Sequence, residues 1–455
     1  MIKTSAIFLF LNYCLGKKVD MSMVVAKIDW RQLYTFASRQ VLLGFCFDGI
    51  ERLTKEFSEE LKQNPIARDL LMTWMGAAQQ IRQQNMKVNA VAGKLYSKFR
   101  EDGLRCCILK GQGNALMYPN PYSRTPGDID VWVNASREQI TEYAQKHFEI
   151  GDDIRFHHLE TSFDGVPVEL HFFPGIMNNP IYNVRLQKWF KRNADLQCSN
   201  VVSLPEGIGE IAIPTTAFNV VYQLTHLYHH FFDEGIGMRQ IIDYFLVVND
   251  FSKNVFLDND LSNHPVPLSK EGSTFSPSPS SSGSGDVTAP SRCSEPLRSK
   301  DGGPSKVSPD CAGWDRRDAI GDIASDASVS SAFTTDSSPS TALVVVQREL
   351  KYLGLWKFAG AVMYVLHEVL GLPKEKMISS MDEKRGKLLL AEILNGGNFG
   401  KHFTKYGHFT QQGMAKKYFL KIWRNLHFVR YYPEEALSEP IFRTWHFFWR
   451  MKNKK

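Results

Sequence analysis

Several signatures that would fix a chemistry outright are missing from this sequence. Its seven cysteines contain no C-x-x-C pair, and no H-E-x-x-H run accompanies its histidines. Ordinary zinc modules and zinc-protease helices are therefore not indicated. The G-x-x-x-x-G-K-[ST] loop and the G-x-G-x-x-G run are also absent, which argues against P-loop and dinucleotide-binding readings. The longest N-terminal apolar run, Ala6 to Leu15 between Lys3 and Lys17-Lys18, falls short of the roughly 18 residues a spanning helix needs. It resembles a leader in charge and hydropathy but lacks a small-x-small cleavage site. The expectation is no export and no integral membrane association, with Met21 or Met23 as an alternative starting residue. An odd, unpatterned cysteine set suits a reducing compartment, so a cytoplasmic location is expected. The net charge of +6 is spread along the chain, without a concentrated basic groove or an interleaved aromatic stripe. Nucleic acid is therefore a less favoured partner.

What is present is apolar residue in quantity. Over 455 residues, 43% are hydrophobic and 12% aromatic, enough to bury a large core in two or three domains. Residues 1–23 are an N-terminal extension of uncertain role, and 24–103 carry helical periodicity (Leu33, Phe36, Val41, Leu42, Phe45) with Gly103 as a C-terminal stop. Residues 104–175 change character, 176–251 return to the helical period, and 342–455 resume it. Between them, 252–341 is dominated by Ser, Pro, Gly and Asp. Such a segment cannot bury enough apolar surface to offset ordering entropy, so a disordered insertion is expected. The aromatic run Trp445–Trp449 reads as part of a packed last helix, with a membrane-surface role as the alternative.

The 104–175 segment alternates strands and helices. Arg105–Leu109 is a short buried strand, Gly111-Gln112-Gly113 breaks it, and Asn114–Tyr118 reads as a short helix. Pro119, Pro121 and Pro126 make a loop. Asp128–Val133 alternates with period two and is a strand. Ser136 is an N-cap for a helix reaching about Phe148. His157–Phe163 and Val166–Phe172 are strands joined through Asp164-Gly165, a two-residue hairpin signal. The expected fold class is α+β, a small mixed sheet embedded in a largely helical chain.

Chemistry concentrates on this sheet. Asp128 and Asp130, at i and i+2 of one strand, face the same side and repel unless a cation lies between them. Hard divalent ions such as Mg²⁺ or Mn²⁺ take ligands of this type; a solvated edge strand is the bland alternative. Glu169 shares a face with His171, and if its strand lies beside that of Asp128 it completes a three-carboxylate cluster suited to two-metal phosphoryl or nucleotidyl transfer. Lys110-Gly111-Gln112-Gly113 follows a strand and opens a helix, where backbone N–H groups and a lysine can receive phosphate; a plain tight turn is the alternative. Arg124 either contacts phosphate or pairs with Asp128 or Glu169, and His171 is either a neighbour of the metal ligands or a packed histidine. His226, His229, His230 and Asp233 lie at helical spacing; lining the cleft or satisfying core polarity is expected ahead of metal binding. Arg239 and Asp243 are placed for an intrahelical pair.

The segments Leu109-Lys110-Gly111, Arg124-Thr-Pro-Gly-Asp128-Ile-Asp130 and Val168-Glu169-Leu170-His171 resemble the polymerase-beta-like nucleotidyltransferase superfamily, and within it a group of bacterial uncharacterised nucleotidyltransferases. The resemblance implies a nucleotidyltransferase fold, metal at Asp128, Asp130 and Glu169, and phosphate at Gly111 and its neighbours Lys110 and Gln112. One departure is Gln112, which stands where the superfamily usually has serine. The implied activity moves a nucleoside monophosphate from a nucleoside triphosphate to an acceptor hydroxyl of a sugar, small molecule or protein. The alternative is a nucleotide-binding or protein-interaction module that has kept the fold without turnover.

Overall fold

A computed structural model of the chain describes residues 2–262, 339–403 and 414–453. Helices come first: α1 (Ile2–Cys14), α2 (Ser22–Val25), α3 (Trp30–Arg39), α4 (Leu43–Glu56), α5 (Ser58–Gln63) and the long α6 (Arg68–Glu101). The sheet segment follows as β1 (Cys106–Leu109), α7 (Gly111–Ala115), β2 (Ile129–Val133), α8 (Arg137–His147), β3 (Glu149–Ile154), β4 (His158–Phe163) and β5 (Val166–His171). Next are α9 (Pro180–Gln197), a small hairpin of β6 (Val201–Ser203) and β7 (Glu210–Ala212), α10 (Thr216–Asp233) and α11 (Met238–Ser262). The remainder is helical: α12 (Pro339–Tyr352), α13 (Trp356–Leu370), α14 (Glu383–Gly396), α15 (Met414–Leu426) and α16 (Pro433–Asn453). The expected α+β class is therefore found. Most of the 252–341 insertion lies outside the described residues; at its edges α11 continues to Ser262 and α12 begins at Pro339.

Local chemistry accounts for the element boundaries. Gly103, at φ +76°, ends α6 with a Schellman pattern: Leu104 N–H donates to Phe99 C=O and Gly103 N–H to Arg100 C=O. Ser136 caps α8 through a reciprocal capping box with Gln139. Asp164 and Gly165 both take positive φ (48° and 68°), as a type I′ hairpin turn requires. Two expectations shift. The long helix begins at Arg68 rather than near Met72, and the helix after the glycine turn is Gly111–Ala115, so the glycines are its first turn.

The larger sheet has the order β1-β2-β5-β4-β3. β2 and β5 are parallel; the other neighbours are antiparallel. Period two then divides its faces. Ile129, Val131 and Val133 join Val166, Val168 and Leu170 in a core with Val88, Val91, Leu95 and Phe99 of α6 and Ile140 and Ala144 of α8. Trp132 belongs to the other core, stacked on Phe218 of α10 and edge-on to Phe190 of α9. Asp130, Glu169 and His171 alternate with the first set, so they share the face of Trp132, beneath α9 and α10.

The N-terminal run is a helix within the helical core. Phe10, Leu11 and Tyr13 are buried, and a Cβ at Gly49 of α4 would collide with Cys14 Sγ, so the glycine permits close approach. In α16, Trp445 and Trp449 pack edge-on against Phe156 while Phe447 and Phe448 are exposed.

One buried ion pair holds the loop before β2. Arg124 Nε and Nη2 donate to the two carboxylate oxygens of Asp243 on α11 (2.9 and 2.8 Å), and Tyr118 Oη donates to Asp243 at 2.7 Å. This corrects two expectations: Arg124 pairs with Asp243 rather than with Asp128 or Glu169, and Arg239 donates to the Thr125 carbonyl (3.1 Å) instead of pairing with Asp243. With the loop so fastened, Gly127-Asp128 enters β2 at one fixed point. Asp243→Ala strands the Arg124 charge in the interior and is expected to cost about 3–5 kcal/mol. The paired replacement Arg124→Met/Asp243→Leu is expected to cost less. Urea unfolding of the three proteins checks this, and equal losses for single and double variants would contradict it.

Candidate active site

The register of β2 and β5 makes Asp130 and Glu169 Cα partners on adjacent parallel strands. Asp128 directly precedes β2 and is exposed at the mouth of the same cleft. Two carboxylates side by side on a covered sheet face need positive charge close by. Lys110 supplies one: at the end of β1 its ammonium lies 2.9 Å from Asp130 Oδ1 and its Nζ is 3.4 Å from His226 Nε2. Its backbone (φ 53°, ψ −117°) is a conformation L residues disfavour, at a cost of about 1–3 kcal/mol. His171 supplies the other, with Nε2 3.0 Å from Asp130 Oδ1 and 3.3 Å from Glu169 Oε2. His158, the cross-strand partner of His171, approaches Glu169 Oε2 through Nδ1 at 3.3 Å.

These contacts set the protonation states. Burial alone would lift Asp130, but the Lys110 charge and the His171 hydrogen bond hold it well below the carboxylate range. Burial also opposes ionisation of Glu169, and the His171 hydrogen bond overrides it, leaving a pKa of about 2. Burial disfavours the imidazolium of His171, yet its bonds to Asp130 and Glu169 raise it to about 9. Lys110 is likewise opposed by burial and kept charged by Asp130. Asp128 is pushed up to about 7, chiefly by the negative charge of neighbouring Asp130. At neutral pH the centre thus holds two anions and two cations in contact, with a third carboxyl able to carry a proton.

The surrounding cleft has a volume of about 490 Å³. Gly111 and Arg124 reach its wall, as do His226, His229 and His230 of α10. Burial pushes all three histidines down towards the neutral form. They line the cleft, as expected, and are in none of the groups of three able to hold a metal among the described residues. Asp233 below them is bound to Lys421 (3.1 Å) and Arg443 (2.6 Å). Gln112 is buried and is not among the cleft-lining residues. The structure thus brings Lys110, Asp130, Glu169 and His171 together, sets Asp128 at their edge, and leaves Gln112 apart.

Three groups of possible metal ligands are present among the described residues: Asp130, Glu169 and His171; His158, Glu160 and Glu169; and His157, His158 and His171. Sequence reasoning missed His157 and His158. A signal existed: the two-residue turn at Asp164-Gly165 fixes the hairpin register, and counting back from it sets Glu160 opposite Glu169 and His158 opposite His171.

Comparison with known proteins gives the family of the chain. A family model described as an uncharacterised nucleotidyltransferase matches residues 26–262, which include every residue of the carboxylate centre. A search of curated proteins returned no match. Among solved structures, the crystal structure of an antigenic nucleotidyltransferase-like protein from Paracoccidioides brasiliensis is similar over 38% of this chain and 85% of that one. Its sequence identity is 16% and its TM-score 0.25. With the family model spanning over half of the sequence, the chain belongs to the uncharacterised nucleotidyltransferase family.

Proposed function

We propose that the chain transfers a nucleoside monophosphate from a nucleoside triphosphate to an acceptor hydroxyl and releases pyrophosphate, on a sheet of the polymerase-beta-like type. The observation that carries this reading is the in-register pair Asp130 and Glu169, on one sheet face with Asp128 at the mouth of the same cleft. Family membership supports nucleotidyl transfer as the reaction class.

The donor set fits a hard divalent ion: carboxylate oxygens of Asp130 and Glu169 already lie within 4.8 Å of each other, and Asp128 adds a third carboxylate. Mg²⁺ or Mn²⁺ held by Asp128, Asp130 and Glu169 would neutralise phosphate charge and activate the attacking hydroxyl. Lys110, freed from Asp130, turns its ammonium to the phosphates beside the Gly111 backbone. Glu169, ionised at neutral pH, accepts a hydrogen bond from the acceptor hydroxyl and orients it for in-line attack. Arg124 acts at one remove by fixing the Asp128 loop through Asp243. A second reading, nucleotide binding without turnover, is favoured by one observation: Gln112 is buried where the superfamily offers a serine hydroxyl.

Transfer from α-phosphate-labelled nucleotides to lysate acceptors is expected with Mg²⁺ or Mn²⁺ and to be abolished by EDTA. Asp130→Asn or Glu169→Gln should lower it more than about a hundredfold, as for loss of one preorganised charge-stabilising group. Calorimetric nucleotide binding without labelled product would favour the second reading, and absence of both would refute the proposal. Lys110→Met is expected to weaken triphosphate binding about tenfold by removing one charge-assisted contact, read by calorimetry with Mn²⁺ present; unchanged affinity would remove Lys110 from the phosphate site.

A further inference from the structure

On the β4 side of Glu169, three imidazoles converge. His158 and His171 are cross-strand partners, and His157 immediately precedes β4. Their ring centroids are 4.3, 5.1 and 5.7 Å apart, and one ligand atom from each lies within 4.8 Å of the others. His158 and His171 are only 2% and 3% exposed. Nδ1 of His157 and Nδ1 of His171 have no hydrogen-bond partner in the protein. On His158, Nδ1 has only its 3.3 Å approach to Glu169 and Nε2 a 3.9 Å approach to Glu160. A buried polar atom left unsatisfied costs about 1–3 kcal/mol, and here several are gathered in one place.

We propose that His157, His158 and His171 form a second metal site, for a borderline divalent ion such as Zn²⁺. The site goes beyond the transfer reaction and does not rest on it. Three imidazoles suit zinc, whereas the hard ion of the neighbouring centre prefers oxygen. Three protein ligands leave a fourth position for water. His171 links the two centres: its Nε2–H is held by Asp130 and Glu169, which leaves Nδ1 for the metal. This is the carboxylate–histidine–metal arrangement that orients a ligating ring. His171 gives up its Nδ1 proton to solvent as the ion binds.

The test uses the full chain, stripped with a chelator and titrated with Zn²⁺ alone against a chromophoric zinc indicator, with Co²⁺ as a spectroscopic substitute. The proposal expects stoichiometric binding and the intense visible Co²⁺ bands of a four-coordinate site. His157→Gln and His158→Ala should each weaken binding more than about tenfold, whereas His226→Ala and Glu160→Gln leave it unchanged. His157 is only partly buried, and circular dichroism of His157→Gln confirms that the loss is not unfolding. Pale six-coordinate Co²⁺ spectra, unchanged affinity in His157→Gln, or loss in His226→Ala or Glu160→Gln would overturn the assignment. No step in the test requires nucleotide, so its outcome is independent of whether transfer occurs.

Discussion

Two carboxylates held in register on a covered sheet face are the constraint to which the rest of this structure answers. Asp130 and Glu169 are brought together by β2–β5 pairing, which backbone hydrogen bonds and an apolar opposite face fix without regard to the charges. Left alone, the pair would repel and desolvate at a cost no small sheet can absorb. Lys110 and His171 resolve this by contact, Lys110 doing so from a disfavoured backbone conformation. The same arrangement makes the centre responsive. Under the proposed function, a divalent ion would compete with these two cations for the carboxylates of Asp130 and Glu169.

The surrounding chain keeps this centre in place. α6 and α8 close the apolar face of the sheet, and α9 and α10 close the other around Trp132, leaving the carboxylate end beneath a wall of neutral histidines. Neutral imidazoles line the cleft without adding charge that would compete for Asp130. The ion pair of Arg124 and Asp243 fastens the loop that carries Asp128, and Asp233 ties α10 to α15 and α16 through Lys421 and Arg443. Helices that flank the sheet in sequence therefore position the cleft rather than only covering it.

Much of this was legible in the amino-acid sequence because it depends on local rules. Period-two alternation gave β2, the Ser136 cap gave α8, and Asp164-Gly165 gave the hairpin that joins the runs of β4 and β5. The adjacency of the Asp130 and Glu169 strands entered the sequence reading only as a condition, and the parallel β2–β5 pairing meets it. The partner of Arg124 was not legible, because Asp243 lies 119 residues away and no local pattern joins them. Lys110 was read as a phosphate contact, and its resting partner Asp130 became visible only with the β1–β2 register. The strand β3 was missed since Glu149–Ile154 offers little apolar alternation. His158 was missed although the hairpin register, carried back from its turn, points to it.

The central claim is that a divalent ion displaces Lys110 from Asp130 and binds between Asp130 and Glu169 together with a nucleotide. Crystals grown with Mn²⁺ and a non-hydrolysable nucleoside triphosphate, measured at the manganese absorption edge, test it directly. The account predicts anomalous density in direct contact with Asp130 and Glu169, a phosphate oxygen in the same coordination shell, and the Lys110 ammonium moved onto phosphate. Nucleotide bound elsewhere, with Lys110 and His171 still seated on Asp130 and no manganese between the carboxylates, would contradict it.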